Sequence, residues 1–161
     1  MFFISTMETV IGKIYIASSS KGLSKISFDS DEFRKWLEGR GKEWKYDESK
    51  NLEVARQLND YFNGALKKFE VDLDIVTTDF QRSVYDVLMK VPYGQLVSYK
   101  DIAVSIHCPR ACRAVGGAVH RNPVPIIVPC HRVINSNGTI GGFAYDIDLK
   151  KKLLRIEGVV L

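Results

Sequence analysis

The sequence predicts an α/β protein of the α+β kind: a strand-led half over 1–76, then a helical half over 77–161 that holds a helix-turn-helix candidate. Three observations carry that expectation. β-type runs bounded by turn residues lie near the N-terminus, whereas helical spacing with capping signals dominates after residue 77. The 161 residues, 45% apolar and 26% charged, suffice to bury a real core. The charge is also divided: residues 1–76 are net −1 and residues 77–161 net +5, so the second half suits a polyanion better. A solvated basic face is the bland alternative for the same excess.

Residues 13–17 and 23–28 read as a hairpin joined by a Ser/Gly-rich turn. A short helix is expected over 31–37, ended by Gly39 and Gly41. Leu52, Ala55, Leu58, Tyr61 and Phe62 recur at helical spacing until Gly64. This half has neither His nor Cys, so it offers no soft metal ligand or nucleophile and reads as scaffold. Further on, Asp79 can cap a helix carrying Phe80, Val84, Val87 and Leu88. Ser98 and Asp101 form a capping-box pattern opening a helix with Ile102, Ala103 and Ile106 inward. Pro109 suits the first position of another helix, over 110–120, which Asn122-Pro123 ends. A final helix is expected over 149–157, with Leu149, Leu153 and Ile156 on one face.

The 110–120 helix is unusual in composition. Arg113 is nearly its only long polar side chain among Ala114, Val115, Gly116, Gly117 and Ala118. Adjacent glycines inside a helix cost about 1 kcal/mol each relative to alanine. Small residues permit close backbone approach, either to a narrow groove or to another helix. After it, an apolar stretch pinned by Pro123, Pro125 and Pro129 delivers Cys130 and His131. Cys130 is a candidate nucleophile, reactive as the thiolate, with His131 and Arg132 beside it. A third group should hold the imidazole, and Glu157, Asp146 and Asp148 are candidates. A buried structural cysteine is the competing reading. Cys108 and Cys112, with His107 and His120 near, fall short of a convincing four-ligand metal set, so no metal is expected. They read as spare thiols or a pair formed under oxidation.

No apolar run approaches the ~20 residues of a membrane span. Met1-Phe2-Phe3-Ile4-Ser5 has no basic region ahead of its apolar residues, so a secretory signal is not expected. An odd count of three cysteines fits a reducing interior.

Pro129-Cys130-His131-Arg132-Val133 resembles the active-site signature of the O6-alkylguanine-DNA alkyltransferases, the methylated-DNA–protein-cysteine methyltransferases. Ser98-Tyr99, Arg113-Ala114-Val115-Gly116, Asn122-Pro123, and Leu153-Leu154 with Glu157-Gly158 follow that family's order and spacing over roughly 78–158. The resemblance implies a ribonuclease H-like N-terminal domain and a helix-turn-helix, winged-helix-like DNA-binding and catalytic domain. It implies single-turnover transfer of an alkyl group from guanine O6 in double-stranded DNA to Cys130, without a cofactor. It further implies a monomer acting in the cytoplasm, or in the nucleus of a eukaryote, with no membrane partner.

The same resemblance implies roles for individual residues. His131 and Glu157 would deprotonate Cys130 through a water, and Asn122 would tie the helix-turn-helix to the active-site loop. Arg113 would fill the stack after the base is flipped, on a helix whose Ala114, Gly116 and Gly117 fit the minor groove. Tyr99 would crowd the flipped nucleotide, and the Val133 carbonyl would read the guanine amino group. Lys150 would sit near the pocket mouth, beside a rim of Phe143, Ala144 and Tyr145. Tyr145 and Asp146 stand where the family commonly has two glycines, which raises a question about backbone dihedrals there. Two other functions compete: a non-catalytic reader of alkylated guanine, against which Cys130 argues, and a cysteine hydrolase, which would turn over.

Overall fold

The computed structural model describes all residues, Met1–Leu161, as two compact units, Met1–Ile75 and Val76–Leu161. In the first unit, β1 (Phe2–Thr9), β2 (Gly12–Ser19) and β3 (Gly22–Ser27) form an antiparallel meander. Helix α1 (Ser30–Arg40) follows, and β4 (Trp44–Tyr46) returns parallel to β1, giving the order β3-β2-β1-β4. A 3-10 turn (Glu48–Asn51) then leads into α2 (Leu52–Phe62).

One face of the sheet meets α1: Phe2 and Ala17 cluster with Phe33 and Leu37, and Ile4, Tyr15 and Trp36 pack around them. On β2, alternation sends Ile14 and Ile16 to the opposite face, where both are fully buried. Asn51 ties the 3-10 turn to the sheet. Its side chain accepts from Ser18 Oγ at 2.5 Å and donates to Ser5 Oγ at 2.9 Å. Gly22 is obligatory in this unit, because a Cβ there would lie 2.5 Å from the Asp72 carbonyl oxygen.

The second unit begins with α3 (Asp79–Met89), then β5 (Val97–Ser98), α4 (Tyr99–Ser105) and α5 (Cys112–His120). A 3-10 turn (Cys130–Arg132), β6 (Val133–Ile134), parallel to β5, and α6 (Ile147–Ile156) complete it. Helices α3, α4 and α5 pack on one another through Val84, Leu88, Ile102, Val115 and Ala118, all buried. Tyr85 of α3 donates its hydroxyl to the Ala118 carbonyl of α5 at 2.8 Å. Helices α4 and α5, linked by 106–111, form the helix-turn-helix. No helix is long and apolar enough to cross a membrane.

Several elements differ from expectation for identifiable reasons. Strand β1 lies ahead of the expected hairpin; two partly buried positions between its buried ones obscure the alternation. Helix α1 runs past Gly39, from its Asp29 cap to a left-handed Gly41. Leu52 is exposed, and α2 turns Val54, Gln57, Leu58 and Tyr61 inward. Thr78, not Asp79, caps α3, because its hydroxyl accepts from Gln81 N while the Gln81 side chain answers in a capping box. Helix α5 begins at Cys112 rather than near Pro109: Ala111 N donates to Cys108 O, closing a separate turn. The capping box at Ser98 and Asp101 forms as the spacing predicts.

Candidate active site

The Cys130 loop is built from strain and clamps. Ile126 has φ +74°, a conformation that a β-branched residue holds only when its surroundings impose it. Here the side chain is fully buried, and Val128 N closes back on Val124 O at 3.0 Å. Asn122 spans the same segment: its amide donates to Val128 O at 2.7 Å, and its Oδ1 accepts from Val124 N at 3.0 Å. Cys130 N in turn donates to Val128 O at 2.8 Å, so the position of the thiol is set by Asn122 through one shared carbonyl.

Cys130 is 4% exposed. Burial pushes its thiol up to about 11, while a hydrogen bond from Asn122 and the Lys150 charge act in the opposite sense. His131 is fully buried and bonds Glu157 Oε2 through Nε2 at 2.6 Å. Burial lowers its basicity more than Glu157 raises it, so the ring rests neutral. Glu157 also accepts from Arg132, Nε to Oε1 at 2.8 Å and Nη2 to Oε2 at 3.0 Å, a two-pronged ion pair. Gly94 N adds a fourth bond at 2.9 Å. Burial alone would raise the carboxyl, but these donors hold it well below the ordinary carboxylate range. An ionised Glu157 fixes the proton of neutral His131 on Nε2 and presents Nδ1 as the basic nitrogen. Of the three acids considered for this role, Asp146 instead caps α6 and Asp148 is exposed.

Lys150, which the resemblance puts near the pocket mouth, is fully buried. Its ammonium donates to the carbonyls of Val133 and Ile140, each at 2.6 Å, and of Gly142 at 2.9 Å. This gathers the 133–142 loop onto α6 and explains why Lys150 joins Leu153 and Leu154 on the buried face in place of Leu149 and Ile156. Burial pushes Lys150 down to about 8, with the Cys130 charge opposing. The Val133 carbonyl retains a second lone pair for another donor.

Tyr99 sits between two glycines. A Cβ on Gly116 of α5 would come within 3.9 Å of its ring, and one on Gly141 within 3.4 Å. Burial keeps its phenol protonated. Arg113 and Ala114 are exposed on α5. Phe143 and Tyr145 form a tilted ring pair with centroids 6.0 Å apart, and Ala144 is exposed. Neither Tyr145 nor Asp146 has positive φ, so the dihedral concern does not arise. Gly94 and Gly141 are site residues that the sequence alone did not single out, and Arg132, named there only as a neighbour of Cys130, proves to be the cation that holds Glu157. Pro92-Tyr93-Gly94 signals only a turn, yet Gly94 has φ +76° and a Cβ there would press on Glu157 O at 3.1 Å.

A helix-turn-helix unit carrying a buried thiol, a neutral imidazole and an arginine-held carboxylate defines a DNA-directed protein with a cysteine nucleophile. Residues 3–75 match the ribonuclease-like domain of 6-O-methylguanine DNA methyltransferase, and residues 79–159 match its DNA binding domain. The chain belongs to this methyltransferase family. It is 43% identical to the methylated-DNA–protein-cysteine methyltransferase of Methanosarcina barkeri, over 96% of both chains. It is 37% identical to the constitutive enzyme of Bacillus subtilis, over 99% of this chain and 97% of that one. A crystal structure of Mycobacterium tuberculosis OGT in complex with DNA superposes with a TM-score of 0.85 at 37% identity, covering 96% of this chain and 92% of that chain.

Proposed function

We propose that this protein repairs O6-alkylguanine in double-stranded DNA by moving the alkyl group irreversibly onto its own Cys130. The supporting observation is the buried Cys130 beside a His131–Glu157–Arg132 network on the loop that follows a helix-turn-helix. The relatives, methylated-DNA–protein-cysteine methyltransferases by name, supply the methylated-DNA substrate class.

The resting thiol is protonated, so the proton has to leave at the moment of transfer. Glu157 holds His131 through Nε2, and Nδ1 accepts the Cys130 proton by way of a water. The Sγ–C bond forms as the C–O6 bond breaks, and the electron pair leaves with the guanine, which takes up a proton. Lys150 lies close enough to favour the thiolate as it develops. O6 is inaccessible in a stacked pair, so the nucleotide is flipped out. Helix α5 enters the minor groove with Ala114, Gly116 and Gly117 at its surface; Arg113 fills the vacated stack and Tyr99 crowds the flipped base. Asn122 couples that helix to the Cys130 loop, the Val133 carbonyl accepts from the guanine amino group, and Phe143, Ala144 and Tyr145 form the rim beside the alkyl group. The protein acts as a monomer, without a cofactor, in the cytoplasm or, in a eukaryote, the nucleus.

Mass spectrometry after mixing with O6-methylguanine duplex tests this. The peptide holding Cys130 should gain about 14 Da, one methyl in place of one hydrogen, and the reaction should stop at one equivalent. Continued consumption of substrate would identify a hydrolase, and binding without modification a non-catalytic reader.

A further inference from the structure

Four of the nine arginines of this chain have a carboxylate or aromatic partner. Arg34 pairs with Asp31, Arg56 with Glu53 and Asp60, Arg132 with Glu157, and Arg40 lies over the Trp36 ring. Arg110, Arg113 and Arg121 have no carboxylate partner, and all three line one groove of about 780 Å³ between the first turn of α3 and α5. Thr78, Phe80 and Gln81 form its other wall, and no Asp or Glu lines it. Asp79 is close in sequence, but it is exposed and lies outside the lining.

The three cations form a stripe. Positions 113, 117 and 121 are spaced by four residues, so they follow one side of α5 as far as its C-cap, and Arg110 lies in the turn just ahead of it. From 113 to 121 the axis advances ~12 Å. The stripe breaks at Gly117, and that gap has a physical use. A Cβ there would stand 2.9 Å from Arg121 Nη1, so the guanidinium lies back against the helix in space that any side chain would fill. Clustered guanidinium groups without counter-charges, on a concave surface containing hydroxyl and amide donors, match a chain of phosphodiesters.

We propose that this groove seats the DNA phosphate backbone, and that Arg121, lodged against Gly117, is a phosphate-binding residue separate from Arg113. The proposal rests on the DNA-binding reading above and adds to it a site on the flank of α5. Arg113 acts on the base stack, whereas Arg121 fixes register along the backbone and carries no sequence information.

Titrating the full chain with a short unmodified duplex at several salt concentrations isolates this term from the chemistry. Each phosphate neutralised contributes about −0.9 to the slope of log K against log salt. Arg121→Ala and Arg121→Gln should both flatten the slope by about that amount, equally for duplexes of different sequence, while Arg121→Lys retains it. Arg155→Ala, at an exposed arginine of α6, should leave the parental slope. Parental slopes in both neutral Arg121 variants, or the same flattening in Arg155→Ala, would overturn the seat. A parent protein whose duplex affinity ignores salt would instead overturn the DNA-binding reading, and the seat with it.

Discussion

Replacing Glu157 tests the centre of the site, because one carboxylate holds both a base and a cation. Its two oxygens receive four hydrogen bonds, from His131, twice from Arg132 and from Gly94. In Glu157→Ala the Arg132 side chain, 7% exposed, keeps its bond to Val91 O but loses its counter-charge. Breaking a buried pair from one side costs about 3–5 kcal/mol. For a chain of this length that is a fall in melting temperature of about 6–20 °C. Glu157→Gln keeps the shape but turns an amide donor towards groups that are already donors, so a loss of about 1–3 kcal/mol is expected. It also removes the charge that fixes His131, and the methyl-transfer rate should fall about 10²-fold. Thermal denaturation and single-turnover transfer from O6-methylguanine duplex read the two effects separately. The pH dependence has a definite sign. The folded carboxyl is held below its usual 4.5, so its contribution is complete above that pH and is lost only as the pH falls below it. A Gln variant that melts and reacts like the parent, or a parent that loses the difference on going above neutral pH, would refute the reasoning.

Arg113→Ala should slow repair in duplex DNA about tenfold or more yet slow reaction with free O6-benzylguanine far less, since a free base needs no flipping; equal slowing would contradict its role in filling the vacated stack. Lys150→Ala leaves three carbonyls without their donor, so limited proteolysis should cut the 133–142 loop in the variant and spare the parent; parental resistance would show that the loop does not depend on the ammonium. At the rim, Tyr145 and Asp146 should favour methyl over benzyl groups, and Tyr145→Gly with Asp146→Gly should raise the relative rate for benzyl. Loss of the α6 cap in that double variant should cost only a few tenths of a kcal/mol, and no relative gain for benzyl would refute the narrow rim.

The parts of this protein that follow local rules were legible in its residues. The hairpin, the Ser98 capping box and the helical spacing of α3 each rest on contacts within a few positions, whereas the buried face of α6 departs from its spacing because Lys150 reaches distant carbonyls. Strand β1 was not legible, because its burial depends on β2, β4 and α1 together. At the site, Cys130 and His131 stood out as reactive types in a proline-pinned turn, whereas residue type and spacing left Glu157, Asp146 and Asp148 open and only the family resemblance named Glu157. The choice is made by α6, which ends at Glu157 and uses Asp146 as its first cap. Arg132 and Lys150 were harder to interpret for a related reason. A basic residue in sequence implies a solvated surface, whereas these two are buried by carboxylate and carbonyl partners that lie 25 and 8–17 positions away.

The lowered acidity of Cys130 bears on how an unused molecule keeps its thiol. A protein that reacts once is consumed by any electrophile that reaches its sulfur. Burial that pushes the thiol up to about 11 leaves little thiolate at neutral pH, and the residue is 4% exposed. Cys108, by contrast, is exposed on the turn between α4 and α5, where no burial stands between it and a small electrophile. The burial that makes this nucleophile look unpromising at rest is also what shields it before use.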